Sequence, residues 1–165
     1  MIIVQHSHPL SSGILTGILR QHCKIRVKEA ENGEPLWAGC VYVAPPGRHL
    51  KIAERGYITI CDGAKVRYSR PSIDVLFSSA AECYGDRILG IILTGGNQDG
   101  ADGAQLIHLL GGIVIAQQAA EYPRMPMAAV ATGSVDHPLP LENIPSSIVA
   151  LSIAPSAAFS MQRHA

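Results

Sequence analysis

One segment of the sequence has the composition and spacing of a catalytic or ligand-binding turn. It begins after an unbroken apolar run, Ile88–Leu93, which is typical of a strand buried on both faces. The glycine turn, Thr94–Gly100, follows. Apolar residues at helical spacing come next, and then Gly111-Gly112 and a second apolar run, Ile113–Ala116. This pattern predicts strand, turn, helix and strand in a parallel sheet, where chemistry is carried at the carboxyl ends of strands.

Asp99 has two interpretations within the glycine turn. An Asp placed just before a helix commonly caps it by accepting backbone N–H bonds, and this is the simpler interpretation. The other is that its carboxylate, held at a strand end, orients a histidine for proton transfer.

The glycine turn does not have the sequence of a phosphate-binding loop. Gly95 and Gly100 have the spacing of a P-loop, but Ala101-Asp102 stands where that loop needs Lys followed by Ser or Thr. No G-x-G-x-x-G pattern can be drawn here either. Asp99 and Asp102 put negative charge where a phosphate would have to bind, so the turn argues against a nucleotide site.

A histidine follows the first apolar segment of the chain. Met1–Gln5 predicts a strand, and His6 falls at its carboxyl end, with His8 close behind. In an extended backbone both rings would point the same way, as in the metal-binding pair of amidohydrolase-like barrels. Such a barrel needs about 250 residues and further ligands, so no metal is expected. Without more pattern, His6 is a strand-end histidine bonded to backbone.

Composition limits the class of protein. Of 165 residues, 47% are hydrophobic and 16% are charged, and the formal net charge is zero, which suits an α/β domain with an apolar core. No cluster of Lys and Arg indicates nucleic-acid binding. No apolar run approaches the ~20 residues of a membrane span, and no signal peptide is expected because apolar residues begin at Ile2 without a basic lead.

The four cysteines are widely spaced and form no C-x-x-C motif. We expect reduced thiols in a cytoplasmic protein rather than a zinc site or a disulfide framework.

The other elements predicted from periodicity also fit an α/β domain. Ser11-Ser12 is the predicted cap of a helix that runs to about Cys23, and Ser72 is the predicted cap of another that runs to Tyr84. The remaining predicted elements are a strand at Ile25–Glu29, a turn at Asn32-Gly33, a buried strand at Cys40–Ala44, a β-hairpin of Leu50–Ala53 and Tyr57–Cys61, and short helices at Met127–Thr132 and Ile144–Leu151. The tail from Pro155 has no clear period, and we expect it to be frayed.

Several segments, taken together and in order, resemble one family. They are Val4–His6, Val41–Leu50, Ser69–Phe77, Leu93–Gly103, and Met125-Pro126 with Gly133–Asp136. Together they resemble the catalytic domain of the CheB-type chemotaxis methylesterase, from about Ile2 to about Leu151. The resemblance implies a doubly wound, mostly parallel sheet flanked by helices, with a small β-hairpin. It implies one domain over residues 1–152 and a tail over 153–165.

The resemblance also implies an activity and the residues that carry it. The family removes methyl groups from glutamate γ-esters on the cytoplasmic helices of chemoreceptors, using a Ser/His/Asp triad and neither metal nor cofactor. By motif position, His6 matches the general base and Asp99 the orienting carboxylate. Gly96 falls where the family, usually with Met, supplies a backbone N–H to the oxyanion hole. Arg70 and His49 match motifs near the site, although surface packing and loop hydrogen bonds are an equal alternative for both.

The family's nucleophilic serine and its first strand have no match in these residues. The family carries that serine in a Gly-rich loop after its first strand, whereas Met1 matches its second strand, and no G-x-S-x-G occurs. Ser7, Ser11 and Ser12 lie near His6, but none falls on a sharp strand-to-helix turn. The unmatched strand is central in the order 3-2-1-4-5, so its neighbours would have unpaired edges. The family's receiver domain is unmatched as well.

Three functions remain open at this point. In the first, the chain is a cytoplasmic methylesterase of methylated chemoreceptors, and DNA upstream of Met1 encodes a strand followed by Gly-x-Ser-x-Gly. In the second, it is an inactive paralogue that binds receptor tails or a receptor methyltransferase. In the third, it is a small-molecule or nucleotide-binding module, against which the acidic turn argues. We expect the first, with neither nucleic-acid binding nor membrane insertion.

Overall fold

The chain forms two compact units, each built on a parallel sheet. The computed structural model describes residues 1–11 and 13–153, and the units are Met1–Cys83 and the chain from Tyr84 onward. The first unit has a three-stranded sheet in the order β1-β3-β2, and the second has one in the order β6-β7-β8. All pairs in both sheets are parallel. The predicted α/β class with parallel strands and flanking helices is confirmed, with the parallel strands divided between two sheets.

The first unit is centred on strand β3. Its elements are β1 (Ile2–Ile3), α1 (Ile14–His22), β2 (Arg26–Glu29), β3 (Cys40–Val43), β4 (His49–Ile52), β5 (Ile58–Cys61) and α2 (Ile73–Tyr84). All four residues of β3 are buried, as expected for a middle strand covered on both faces. Helix α1 packs Leu15 and Leu19 against a cluster of Val27, Val41 and Val43, because residues four apart lie on one helical face.

Two predictions at the start of this unit are wrong. The first strand is limited to Ile2–Ile3 instead of Met1–Gln5. The N-cap of α1 is Gly13, at φ +78° and without a side-chain cap, instead of a serine; Ser12 lies outside the described residues. The Gly13 N–H donates to the Glu29 carboxylate at 3.1 Å. A carboxylate is favourable at a helix N-terminus. This one comes from β2, so a pattern of residues next to the helix could not predict it.

The predicted hairpin and the predicted cap of α2 are confirmed. Strands β4 and β5 pair antiparallel with His49 opposite Cys61. Ser72 Oγ accepts the Val75 N–H at 3.4 Å, which is the bond that an N-cap serine makes. Helix α2 is tied to the hairpin through Ser79, whose Oγ accepts the Ile52 N–H at 3.0 Å.

The second unit contains the predicted strand, turn, helix and strand. Its elements are β6 (Leu89–Ile92), α3 (Ala101–Leu109), β7 (Ile113–Gln117), α4 (Arg124–Ala131), β8 (His137–Leu139) and α5 (Ile144–Ile153). The middle strand β7 is buried over its first four residues. Helices α3 and α4 both contact β6 and β7. The prediction that the first apolar run is buried on both faces is wrong, because Leu89 and Ile91 of β6 are only half-buried and Leu93 is 42% exposed.

The second unit differs from prediction at two prolines. Strand β8 was not predicted because it contains Pro138, which cannot donate a ladder bond; it is the last strand of its sheet among the described residues, where proline is tolerated. Helix α4 begins at Arg124 instead of Met127, since Pro126 sits in the first turn, where no intrahelical N–H is needed. The predicted tail from Pro155 lies outside the described residues, and the predicted domain bounds stay a prediction.

Two bulk properties can be compared with expectation. All four cysteines are free thiols in the structure. None of the helices in the described ranges is long and apolar enough to cross a bilayer.

Tyr42 anchors the segment that connects β2 to β3. This connection contains no helix, and the Tyr42 side chain, 1% exposed, reaches into it. The hydroxyl donates to the Pro35 carbonyl at 3.1 Å and accepts the Trp37 N–H at 3.0 Å. Burial raises the pKa of Tyr42 above the usual value for tyrosine, because the phenolate would be poorly solvated.

We expect Tyr42→Phe to lower the free energy of unfolding by about 1–3 kcal/mol, since it removes two part-buried hydrogen bonds that contribute roughly 0.5–1.5 kcal/mol each. Chemical denaturation measures this loss. Tyr57→Phe is the matched control because Tyr57 is 46% exposed and water can solvate its hydroxyl. Equal losses in the two variants would contradict the anchoring role of Tyr42.

The raised pKa of Tyr42 predicts a pH dependence of stability. Unfolded tyrosine ionises near pH 10, whereas folded Tyr42 keeps its proton to higher pH, so the unfolded state binds fewer protons in that range. The contribution of Tyr42 is therefore complete below about pH 10 and is lost as the pH rises through the folded pKa. Denaturation curves of the parent protein should lose stability more steeply above about pH 10 than those of Tyr42→Phe, and parallel losses would rule this out.

Candidate active site

His6 follows β1 in an irregular, half-buried segment of the first unit. The strand before it pairs with β3, Ile3 opposite Val43, so His6 leaves the sheet at its carboxyl edge. His8 is exposed, and its Nδ1 accepts the Leu10 N–H at 3.3 Å. His8 therefore stabilises the turn in which it lies. No group of three or more metal-ligating side chains is found in the described ranges.

A cavity of about 230 Å³ lies beside the His6 segment. Gln5 and Ser7, the neighbours of His6, line it together with Glu29 and apolar residues of α1 and β3. The Thr16 hydroxyl in its wall is buried and has no hydrogen-bond partner among the described residues. The cavity is therefore at the strand ends, where open α/β sheets bind ligands, and its walls combine apolar residues with several polar side chains, those of Gln5, Ser7, Ser11, Thr16 and Glu29.

The glycine turn in the second unit is fixed by the loop that follows β7. The Gly95 N–H donates to the Tyr122 carbonyl at 2.8 Å, and the Gly95 carbonyl accepts the Met125 N–H at 3.0 Å. The Thr94 N–H donates to Gln117 Oε1 at 2.9 Å. These bonds join the carboxyl ends of β6 and β7 at one edge of the sheet.

The two adjacent glycines of this turn have different surroundings. A Cβ on Gly95 would lie 2.7 Å from Met125 Cε and 3.1 Å from Met125 Cβ. Met125 is 6% exposed, so it has little room to move aside. A Cβ on Gly96 would meet no atom within 4 Å. Gly95 is therefore required for a close approach, whereas Gly96 borders open space and is exposed.

Asp99 is completely buried, at 0% exposure. Its N–H donates to Asn97 Oδ1 at 3.0 Å. The N-cap of α3 is Gly100, at φ +98°. Asp99 therefore lies one residue before the cap, and the interpretation of Asp99 as the N-cap residue is wrong. A carboxylate withdrawn from water must be compensated by hydrogen bonds or opposite charge. The turn therefore holds its acid in a dry environment, as an acid that orients a histidine requires.

His49 and Arg70 both bind loop backbone in the first unit. His49 is 2% exposed; its Nε2 lies 2.9 Å from the Ala64 carbonyl, and its Nδ1 accepts the Ser72 N–H at 3.2 Å. Because a carbonyl can only accept, Nε2 carries the proton. Arg70 Nη1 donates to the Gly63 carbonyl at 2.9 Å. These bonds favour the loop hydrogen-bond alternative, and a role in lining the site stays a prediction.

Gln117 and Tyr122 contribute to the glycine turn but were not singled out from the sequence. The available signal was the place of Gln117, a polar residue at the carboxyl end of a buried strand that pairs in parallel with β6. Carboxyl ends of neighbouring parallel strands share one edge, so this side chain could have been assigned to the turn. The Tyr122 contacts are made by backbone and leave no such signal.

Comparison with known proteins gives one consistent result. The family model described as CheB methylesterase matches residues 1–148. A Leptospira interrogans protein with the provisional name protein-glutamate methylesterase/protein-glutamine glutaminase is 44% identical over 153 residues, 92% of this chain and 79% of that protein. A Rhodopseudomonas palustris protein named protein-glutamate methylesterase/protein-glutamine glutaminase 3 is 41% identical over 154 residues, 90% of this chain and 42% of that protein.

A solved structure has the same fold. The catalytic domain of the Thermotoga maritima CheB methylesterase matches with a TM-score of 0.87 and 34% sequence identity, over 91% of this chain and 82% of that one. The chain therefore spans most of that catalytic domain and of the Leptospira protein, but less than half of the Rhodopseudomonas protein.

The contrast between the two glycines makes a direct prediction. Gly95→Ala should lower the free energy of unfolding by about 1–3 kcal/mol, because the added methyl overpacks against buried Met125. Gly96→Ala should be neutral or slightly stabilising, since its backbone is compatible with alanine and the space is open. Denaturant unfolding of both variants tests this, and similar stabilities would contradict the close approach at Gly95.

Proposed function

Because this chain belongs to the CheB methylesterase family, we propose that it hydrolyses glutamate γ-methyl esters on the cytoplasmic part of chemoreceptors, with His6 as general base and Asp99 as its carboxylate. The observation that carries the proposal is the complete burial of Asp99 in the family's own motif. A cytoplasmic location agrees with four free thiols.

The roles of the two residues follow from the chemistry of acyl transfer. The His6 imidazole takes the proton of a serine hydroxyl as that oxygen attacks the ester carbonyl, and it returns the proton to the leaving methoxide. A buried carboxylate stabilises the imidazolium that forms in between and holds the ring in one tautomer. Methanol leaves first, and water then hydrolyses the acyl-enzyme to a free glutamate side chain.

Gly96 is proposed to stabilise the tetrahedral intermediate through its backbone N–H. The exposure of Gly96 supports this, because an oxyanion has to approach the amide from solvent. A main-chain donor does not depend on the side chain, so glycine in place of the family's usual Met preserves the bond. Backbone donors fixed in advance are among the largest contributions to such catalysis.

The same site is proposed to hydrolyse the side-chain amide of glutamine. The names of both relatives include protein-glutamine glutaminase. An amide differs from a methyl ester mainly in its leaving group, since the amide nitrogen must be protonated before it can depart as ammonia. The general base that has just accepted the serine proton is placed to deliver it, so one pair of residues serves both substrates.

The nucleophilic serine is proposed to lie outside these 165 residues. No G-x-S-x-G occurs in them, and the solved catalytic domain has a part that this chain does not match.

The alternative function is a non-catalytic receptor-binding module, which the same missing motif favours. A fluorophosphonate that labels active serines distinguishes them, because the esterase in its native full-length form is labelled and the binding module is not.

Methanol release from a methyl-esterified receptor fragment tests the proposed residues in the full-length protein. We expect His6→Gln and Asp99→Asn each to lower kcat by about 10³- to 10⁴-fold, since both remove part of the proton-transfer pair. His8→Gln is the control, because His8 is exposed and its Nδ1 accepts the Leu10 N–H of its own turn, so the substitution should leave kcat unchanged. Full activity in His6→Gln would overturn the proposal.

A further inference from the structure

The Thr94 hydroxyl forms hydrogen bonds in both directions with the backbone of one residue. Its Oγ1 accepts the Tyr122 N–H at 2.9 Å and donates to the Tyr122 carbonyl at 3.4 Å. A hydroxyl has one proton and two lone pairs, so both bonds can be present together. Thr94 is exposed, and these bonds therefore act at the rim of the second unit, outside its packed core.

The backbone on either side of this hydroxyl is held as well. The Thr94 N–H is bound by Gln117, and both polar groups of Gly95 are bound by Tyr122 and Met125. These three bonds and the two from the hydroxyl all connect the glycine turn to the end of β7, the loop behind it and the first turn of α4. Gly96 is the next residue along the chain, so the direction of its N–H is set by this arrangement.

We propose that Thr94 is the positioning residue for the Gly96 N–H, with Gln117 supporting it from β7; this rests on the function proposed above. Thr94 touches no reacting atom in this scheme. Its hydroxyl keeps the turn from rotating about the β6 end, and the Gly96 amide is thereby aimed before the substrate arrives. An oxyanion donor that must reorient during the reaction loses much of its effect.

Because Thr94 and Tyr122 are exposed, an effect of Thr94 on the position of the turn can be measured separately from an effect on the stability of the fold. Valine has the shape of threonine without the hydroxyl, so Thr94→Val removes both bonds to Tyr122. Tyr122 is 60% exposed, and water can satisfy its backbone groups. The fold should therefore survive the substitution, while the turn gains freedom.

The test compares Thr94→Val and Thr94→Ser in the native full-length protein, using methanol release from the methyl-esterified receptor fragment. We expect Thr94→Val to lower kcat by about 10- to 100-fold, the size expected for a displaced but not deleted donor, with KM nearly unchanged. Thr94→Ser retains the hydroxyl and should retain kcat. Hydrogen exchange of the Gly96 amide should be faster in Thr94→Val than in Thr94→Ser.

Thr132→Val is the matched control in the same unit. The Thr132 hydroxyl donates to the Ala129 carbonyl at 2.6 Å and accepts the Ser134 N–H at 3.2 Å, so this variant loses the same kinds of bond at the other end of α4. It should lose stability without losing kcat. A fall in kcat equal to that of Thr94→Val would reduce Thr94 to a structural residue and overturn the inference.

The outcomes distinguish this inference from the proposed function. If His6→Gln abolishes activity and Thr94→Val leaves kcat unchanged, the inference fails and the function stands. If His6→Gln keeps full activity, both fail. The inference is supported when Thr94→Val lowers kcat while the pH profile of the remaining activity, which reports the base, stays that of the parent.

Discussion

The close approach of Gly95 to Met125 is the constraint on which the arrangement of the glycine turn depends. It brings the first turn of α4 against the end of β6, and the paired bonds between Gly95, Tyr122 and Met125 are possible only at that separation. A side chain at position 95 would overlap the buried Met125 side chain and strain the bonds that join two neighbouring strand ends. The glycine is thus a packing requirement first, and the fixed turn beside it is a consequence.

The sequence predicted those elements whose environment is uniform along their length. The runs that became β3 and β7 are apolar because both faces of a middle strand are covered, whereas β6 comes at the end of its sheet's order among the described residues and is buried at alternate positions. Element ends were predicted less well, since they depend on contacts made at a distance. The N-terminus of α1 is served by Glu29 from β2, and α3 begins at a glycine with φ +98°, so neither matched the local serine or aspartate pattern.

For the candidate site too, sequence motifs identified some residues, whereas others became apparent only from contacts in the structure. His6 and Asp99 were chosen as candidates through a resemblance to a family, and the comparisons show that the chain belongs to that family. The complete burial of Asp99 could not be predicted from one acidic residue among glycines. His49 shows the limit of motif matching, because both of its ring nitrogens serve backbone groups. Thr94 lay in the motif, yet its bonds to Tyr122 join positions separated by a helix and a strand, which no local pattern encodes.

The open space at Gly96 has a consequence for how such a site changes over evolutionary time. Where a backbone N–H makes the catalytic hydrogen bond, the side chain at that position does not take part in the reaction. Many residue types can then occupy the position without loss of activity. Substitutions there would alter only the contour of the exposed surface beside the glycine turn. Position 96 can therefore accept residues of many sizes, whereas a side chain at position 95 would meet Met125.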